Sequence, residues 1–467
     1  MKKKILLIQP RHIYAPTLES NKLGHIYMPV SLLSAAAIFL KIGFEVEFVD
    51  ENISKADISN NIIGINLLGA PYIPEALKIE NRLKEIYDND YTLLLGGQII
   101  NGLTGKELSK IFSNQTFNGN SSSELSKIFD IELTKIPKIE DLSLINSYKL
   151  LKDNNLKMYL EREFTFYLSQ GCKYSCSFCS AERTIINKEL GIKKIRSERY
   201  RNINIALSDL EFLIKKALSF KIYNLSFYLS NLDIFQTPLK VHRFGLGIIE
   251  LKKKYPEIVI KFRGLSTSRS FIKTHNKYPY IIMDLVKAGL KQVGFGIDGA
   301  TPKVYKETRK PQTVKESLDV IRISKEVYNL VPEILMVFGH NDKEDEDSLL
   351  LALKFCLTMQ KKYNARPRPH VAKDIVPGND GWYSELNESK KNEFLENPTL
   401  FQNLDFTATP SPITHPDLNF RNLVEKTYIE VCELPNSLTQ YVKPYLPKMK
   451  KEEYQKICEF NKGRYDI

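Results

Sequence analysis

Apolar and polar positions alternate in blocks along the first 145 residues. Short runs of branched and aromatic residues read as buried strands: Ile5–Ile8, Glu45–Val49, Ile62–Leu68, Tyr91–Leu95 and a short piece near Thr116. Between them lie segments of helical length. One runs over Val30–Ile42, with Pro29 at its start and Gly43 at its end. Another covers Pro74–Tyr87. Such alternation predicts a parallel sheet with helices on both faces. Ligands of such sheets sit beyond the carboxyl ends of the strands, here the loops beginning at Gln9, Asp50, Gly69 and Gly96.

The same rhythm continues over residues 146–380. Predicted strands are Phe164–Leu168, Leu225–Leu229, Ile258–Phe262, Gln292–Ile297, Glu333–Phe338 and Pro369–Ile375. Predicted helices are Ser208–Ser219 (Ser208 and Glu211 making a capping box), Pro238–Lys254, Tyr280–Gly289, Val314–Val327 and Glu344–Gln360. Six strand–helix units predict a partial barrel, whose catalytic groups belong at the strand carboxyl ends. Residues 381–467 alternate helical segments with proline-bearing turns, which predicts a helical cap.

Composition changes this picture little. The chain has 467 residues, 43% of them hydrophobic, enough for two or three domains with proper cores. The net charge of +12 admits an anionic partner. The lysines are spread along the chain with no arginine-rich arm, so a solvated basic surface is the reading and nucleic acid is not expected. Lys2–Lys4 precede only four apolar residues, too few for a signal peptide. Val30–Phe39, the longest apolar stretch, is half a membrane span. A soluble cytoplasmic protein is expected.

Cysteine usage adds the chemistry. Three of the six cysteines, Cys172, Cys176 and Cys179, form a C-x3-C-x2-C array directly after the apolar run at Phe164. Three thiolates on one loop can each hold one iron of a four-iron cluster, and the fourth iron keeps an open position, the mark of a catalytic metal site. A structural zinc site wants four ligands, and this loop has no fourth Cys or His. A disulfide framework suits small secreted domains. Cys356, Cys432 and Cys458 are scattered and read as ordinary buried thiols.

The array, with aromatic Phe178 before its last cysteine, resembles the signature of the radical SAM superfamily. The resemblance implies a [4Fe-4S] cluster on Cys172, Cys176 and Cys179 whose open iron chelates S-adenosylmethionine. One electron then cleaves the sulfonium to a 5′-deoxyadenosyl radical. It also implies an electron donor such as flavodoxin or ferredoxin. Other strand ends match in order. Ser230, Asn231 and Asp233 follow the second strand, where the family binds the amino group. Arg263, Ser266 and Ser268 follow the third, an Arg being suited to planar two-point contact with a carboxylate. Asp298 follows the fourth and would accept from the ribose or the ammonium. The usual Gly-Gly-Glu and Gly-Ile-Glu-Ser are absent, which leaves side-chain roles open. Arg309 and Lys310 read as surface charge. Trp382 packs its loop, or else His340, His370, Asp374 and Asn379 line the substrate mouth.

Residues 1–145, standing before this loop, resemble the cobalamin-binding domain of cobalamin-dependent radical SAM enzymes. The matching features are the Pro29 loop, the Gly43 turn, Asp50 and the Gly96–Gly97 pair. Gly69, Ala70, Gly96 and Gly97 would let the corrinoid approach the backbone. The D-x-H-x-x-G motif that supplies a cobalt-ligating His is absent, and His12 and His25 carry little weight. A degenerate domain that binds nothing is the alternative. Without cysteine, this region does not fit the methylthiotransferase branch. The expected function is cobalamin-dependent C-methylation of an unactivated carbon in a small molecule or peptide. The alternatives are a radical cyclase, rearrangement or epimerisation enzyme, and a non-catalytic metal- or RNA-binding protein.

Overall fold

The computed structural model describes residues 3–11, 27–181, 185–187, 192–194, 198–398, 410 and 414–438. His12, His25 and Cys458 lie outside the described residues. The chain divides into two compact units. One comprises Met1–Tyr159, Ser180–Glu182 and Ile375–Asp405; the other comprises Leu160–Cys179, Arg183–Asp374 and Phe406–Ile467.

In the first unit, strands β1 (Lys4–Gln9), β2 (Glu45–Asp50), β3 (Ile62–Asn66), β4 (Thr92–Gly96) and β5 (Thr116–Asn118) form a parallel sheet in the order β2-β1-β3-β4-β5. Ile5, Leu7 and Leu94 pack with Leu32, Ala36 and Phe39 of the helix Val30–Lys41. Each such leucine, isoleucine or phenylalanine side chain taken from water contributes about 1.5–3 kcal/mol. Phe39, Phe44 and Phe129 close that face by edge-on contacts with centroids 5.0–6.1 Å apart. Gly43 turns the chain into β2 with φ +95°, a conformation glycine adopts without strain. Residues 375–405 belong to this unit. Trp382 is 1% exposed, edge-on to Phe394, with Lys391 over its ring, and Asn379 Oδ1 accepts from the backbone N–H of Val376 and Trp382. Both residues therefore hold their own loop together.

In the second unit, β6 (Phe164–Phe166), β7 (Asn224–Leu229), β8 (Val259–Thr267), β9 (Leu290–Gly296), β10 (Val331–Phe338) and β11 (Arg366–Val371) form a six-stranded parallel sheet in chain order. The connecting helices are Ile203–Ser219, Pro238–Lys254, Ser268–Lys277 with Pro279–Ala288, Val314–Glu326 and Glu346–Tyr363. This is the expected α/β fold of parallel strands with a helical C-terminal region: helix Leu418–Cys432 buries Val424, Tyr428 and Val431 in this unit.

Two local expectations are corrected. Ser208 lies inside a helix that starts at Ile203, capped by Asn202, whose side chain accepts from Asn204 N and Ile205 N. The third barrel strand continues through Thr267, so Arg263 is a strand residue, not part of a terminal loop. Its backbone sits at a register shift between β8 and β9.

A polar layer crosses the middle of this sheet. Arg263 Nε and Nη2 each donate to Glu163 at 2.6 Å, Gln292 donates to Glu333 at 2.8 Å, and Arg368 donates to Glu333 at 3.2 Å. Ionised groups are tolerated so deep only when paired. No helix among the described residues is long and apolar enough to cross a membrane.

Candidate functional site

The chain leaves β6 through Gly171, at φ +93°, and enters the cysteine loop. Neighbouring strand ends hold that loop at several points. Lys173 N donates to Gln236 Oε1 at 2.9 Å. Tyr174 OH pairs with Ser270 Oγ at 3.1 Å. Ser177 N donates to Thr308 O at 2.9 Å, and Arg309 Nε donates to Ser175 O at 2.9 Å. The segments following β7, β8 and β9 thus each supply a contact. Cys176 and Phe178 pack with Val337 and Ala372, and Tyr174 and Cys179 lie against the same cluster. The Phe178 ring meets His340 at 5.1 Å.

Burial pushes the Cys172 thiol up to about 12, and Asp233, Cys179 and Cys176 push in the same direction. Without a cation Cys172 favours the neutral thiol, whereas a bound metal takes thiols in deprotonated form. Among the described residues, no group of three or more His, Cys, Asp or Glu is already gathered to hold a metal ion. The donor set itself, three soft thiols with no fourth Cys or His in the loop sequence, fits iron and sulfide.

The residues expected around S-adenosylmethionine lie in this unit, and several already have protein partners. Asp233 is 1% exposed. It accepts from Ser266 Oγ and Thr267 Oγ1 at 3.0 Å and from Phe235 N at 3.1 Å. Burial pushes its carboxyl up, against the hydroxyl donors. Asn231 donates to Ser169 Oγ at 2.6 Å, and Ser230 Oγ donates to Phe166 O at 3.3 Å. Ser268 N donates to Gln312 Oε1 at 3.1 Å.

Arg263, expected to bind a carboxylate of the ligand, is corrected. Its two-point partner is Glu163, and its guanidinium also covers the Tyr228 ring at 4.3 Å. Asp298 is ion-paired with Lys310, the side chains 5% and 7% exposed. Lys310 is therefore not surface charge. Asp298, Gly299 and Ala300 all have left-handed backbone, with φ +50°, +99° and +54°. That is costly for the two non-glycine residues, and such strain collects at functional sites.

Several buried polar atoms around the loop have no hydrogen-bond partner: Ser177 Oγ, Gln236 Nε2, Ser268 Oγ and His340 Nε2. Orphans of this kind are rare in folded chains, and their grouping at the strand ends fits a polar ligand. His340 Nδ1 lies 3.7 Å from Asp374 Oδ1. Burial alone would raise the Asp374 carboxyl, but His340 and Lys343 more than offset it and hold it below the usual range. Gln236, Ser270, Thr308, Arg309 and Lys310 were not singled out as site residues by sequence. None carries a spacing signal, since each reaches the loop only through the fold.

The strand ends of the first unit look different. Asp50 is 2% exposed. Its carboxylate accepts from Tyr159 OH and from the backbone and side chain of Asn52, and burial pushes it up. Asn66 donates to Gln9 at 3.1 Å. The small-residue readings are corrected in part. Gly69 has extended backbone, φ −163°, open to any residue. Ala70 is 1% exposed, covered as it starts a short turn. Gly97, at φ +102°, is required by the fold, because a Cβ there would come within 2.2 Å of Leu67 O. Its N–H and C=O both pair with the Asn120 amide, at 3.2 and 3.0 Å.

Residues 166–352 match the family model of the radical SAM superfamily. No curated protein matches the chain significantly. Among solved structures, the cobalamin-dependent S-adenosylmethionine radical enzyme OxsB, with aqua-cobalamin and S-adenosylmethionine bound, is similar with a TM-score of 0.57 at 15% identity, over 85% of this chain and 56% of that one. Apo OxsB gives 0.53 at 14% identity, over 100% of this chain and 61% of that one. The chain thus spans about three fifths of OxsB, and the likeness is one of fold.

Proposed function

Because residues 166–352 match the radical SAM family model, we propose that this chain cleaves S-adenosylmethionine reductively to a 5′-deoxyadenosyl radical and, with cobalamin, methylates an unactivated carbon. The observation that carries the reading is the cysteine loop, placed at the carboxyl end of β6 and braced by the three segments that follow. Bound there, a [4Fe-4S] cluster would supply the electron that splits the sulfonium, and a corrinoid at the first unit would supply the methyl carrier. Cys172, Cys176 and Cys179 would hold the cluster.

The protein's own part is placement and exclusion of water. Gln236 and Thr308 fix the loop backbone at Lys173 and Ser177. Phe178, Val337 and Ala372 make its inner wall apolar, which shields a radical from solvent. Asp233, with Ser266 and Thr267 ordered on it, would offer negative charge to the ligand's ammonium. Cobalamin is supported by a five-stranded parallel unit preceding the radical SAM domain and by the fold shared with OxsB. The methyl acceptor, a small molecule or peptide, and a flavodoxin- or ferredoxin-type electron donor belong to the same proposal.

The test is anaerobic reconstitution with iron, sulfide and hydroxocobalamin, followed by desalting and assay with S-adenosylmethionine and a reductant. Retained corrinoid, with 5′-deoxyadenosine and S-adenosylhomocysteine formed together on turnover, is the expected result. Deoxyadenosine alone would favour a ring closure or rearrangement. Anoxically purified protein holding zinc, or no metal, would remove the proposal.

A further inference from the structure

Lys310 places a buried positive charge beside the cysteine loop. The turn that carries it grips the backbone on both sides of Cys176: Thr308 O accepts from Ser177 N, and Arg309 Nε donates to Ser175 O, each at 2.9 Å. One residue on, the Lys310 side chain turns inward to Asp298, the two being 7% and 5% exposed. The packing is close enough that a Cβ added at Gly296 would lie 2.8 Å from Lys310 Nζ. Lys310 N is itself tied to Tyr305 O at 2.8 Å, and Gln312 N to Lys310 O at 2.9 Å. The ammonium is therefore held in one place. Burial disfavours its charge, but Asp298 keeps it protonated.

We infer that Lys310 is a positioning residue whose ammonium, balanced by Asp298, sets how readily an iron–sulfur cluster on Cys172, Cys176 and Cys179 accepts an electron. The inference rests on the cluster of the proposed function and is independent of cobalamin and of the methyl acceptor. A cluster held by thiolates gains negative charge on reduction, and its potential responds to nearby charge and burial. A fixed cation in a dry site acts strongly on such a change. Removing the Lys310 charge leaves the Asp298 carboxylate facing the loop, and both effects disfavour the reduced state. Removing the Asp298 charge leaves the ammonium unbalanced and favours it.

The experiment is a redox titration of the reconstituted full chain, reading the reduced cluster by electron paramagnetic resonance. At a fixed poise, Lys310→Met is expected to lower the ratio of reduced to oxidised cluster at least tenfold, about 59 mV for one electron. Asp298→Asn is expected to shift it the other way, and Lys310→Arg to restore the wild-type value. Unchanged potentials in both charge-removing variants overturn the inference, as do shifts of the same sign in both, which would mean general loosening. If Lys310→Met does not fold, Asp298→Asn decides by the sign of its shift alone. A wild-type chain that binds no iron and sulfide overturns the proposed function and this inference together. A bound cluster with unmoved potentials overturns this inference alone.

Discussion

Glu163 and Arg263 face each other through two hydrogen bonds of 2.6 Å, with side chains 1% and 2% exposed. Truncating one partner of such a pair leaves the other charge buried and uncompensated. Glu163→Gln is expected to destabilise the fold by about 3–5 kcal/mol, read as a shift in urea midpoint. The double variant Glu163→Gln with Arg263→Met, which removes both charges, is expected to recover part of that loss. A single variant within about 1 kcal/mol of wild type would show that the pair is not the anchor its geometry indicates.

The pair also shows where the sequence was readable. The helix Pro238–Lys254 lies where it was expected, because proline at its start and lysines in its last turn mark both ends locally. Gly264, Ser266, Thr267 and Ser268 are turn-forming types, and taken locally they put Arg263 in a loop. In the fold, β7 and β9 pair with β8 on either side, and that pairing overrides local preference. The burial of Lys310 is hidden from the sequence for a related reason. Its partner Asp298 is twelve residues away and is brought opposite by the left-handed turn after β9. The three cysteines needed no such help, since their spacing within one loop carries the chemistry.

Replacing Cys172, Cys176 or Cys179 singly by Ala is expected to abolish reductive cleavage of S-adenosylmethionine and to strip most iron and sulfide. The folded unit should survive. Cys172 and Cys179 are only half-buried, and the brace from Gln236, Thr308 and Arg309 goes mainly to other residues of the loop. Metal analysis and far-ultraviolet circular dichroism check the two halves of this expectation. Normal deoxyadenosine formation by any of the three variants would contradict the cluster assignment.

Asp233 links the loop to the expected amino-group subsite. Asp233→Asn keeps the size of the side chain and an acceptor for Ser266 or Thr267, but removes the negative charge. A charge-assisted hydrogen bond contributes about 1.5–3 kcal/mol, so affinity for S-adenosylmethionine is expected to fall by roughly ten- to a hundredfold. Isothermal titration of the reconstituted protein measures it. Unchanged affinity, with the fold intact, would leave Asp233 as a purely structural organiser of Ser266 and Thr267.

His415 supplies a pH dependence whose sign follows from its partners. Its Nε2–H donates to Gly339 O at 2.7 Å, and in the neutral ring Nδ1 accepts from Thr414 Oγ1 at 2.9 Å. Burial, helped by Lys373, pushes its pKa from 6.5 down to about 4, with Gly339 and Asp374 pulling the other way. Between those values the unfolded chain binds the proton and the folded chain does not. Stability from this residue is therefore present above pH 6.5 and is lost as pH falls toward 4, by at most about 3 kcal/mol. His415→Gln can keep an N–H donor for Gly339 but cannot titrate. Carboxylates elsewhere also respond in this range, so the informative quantity is the difference in unfolding free energy between the two proteins at pH 7 and pH 4.5. That difference is expected to shrink as the pH is lowered, because only the wild type has a proton to exclude. A gap that stays constant across the range would mean that His415 takes up its proton as readily in the folded protein as in the unfolded chain, against the effect of burial and Lys373.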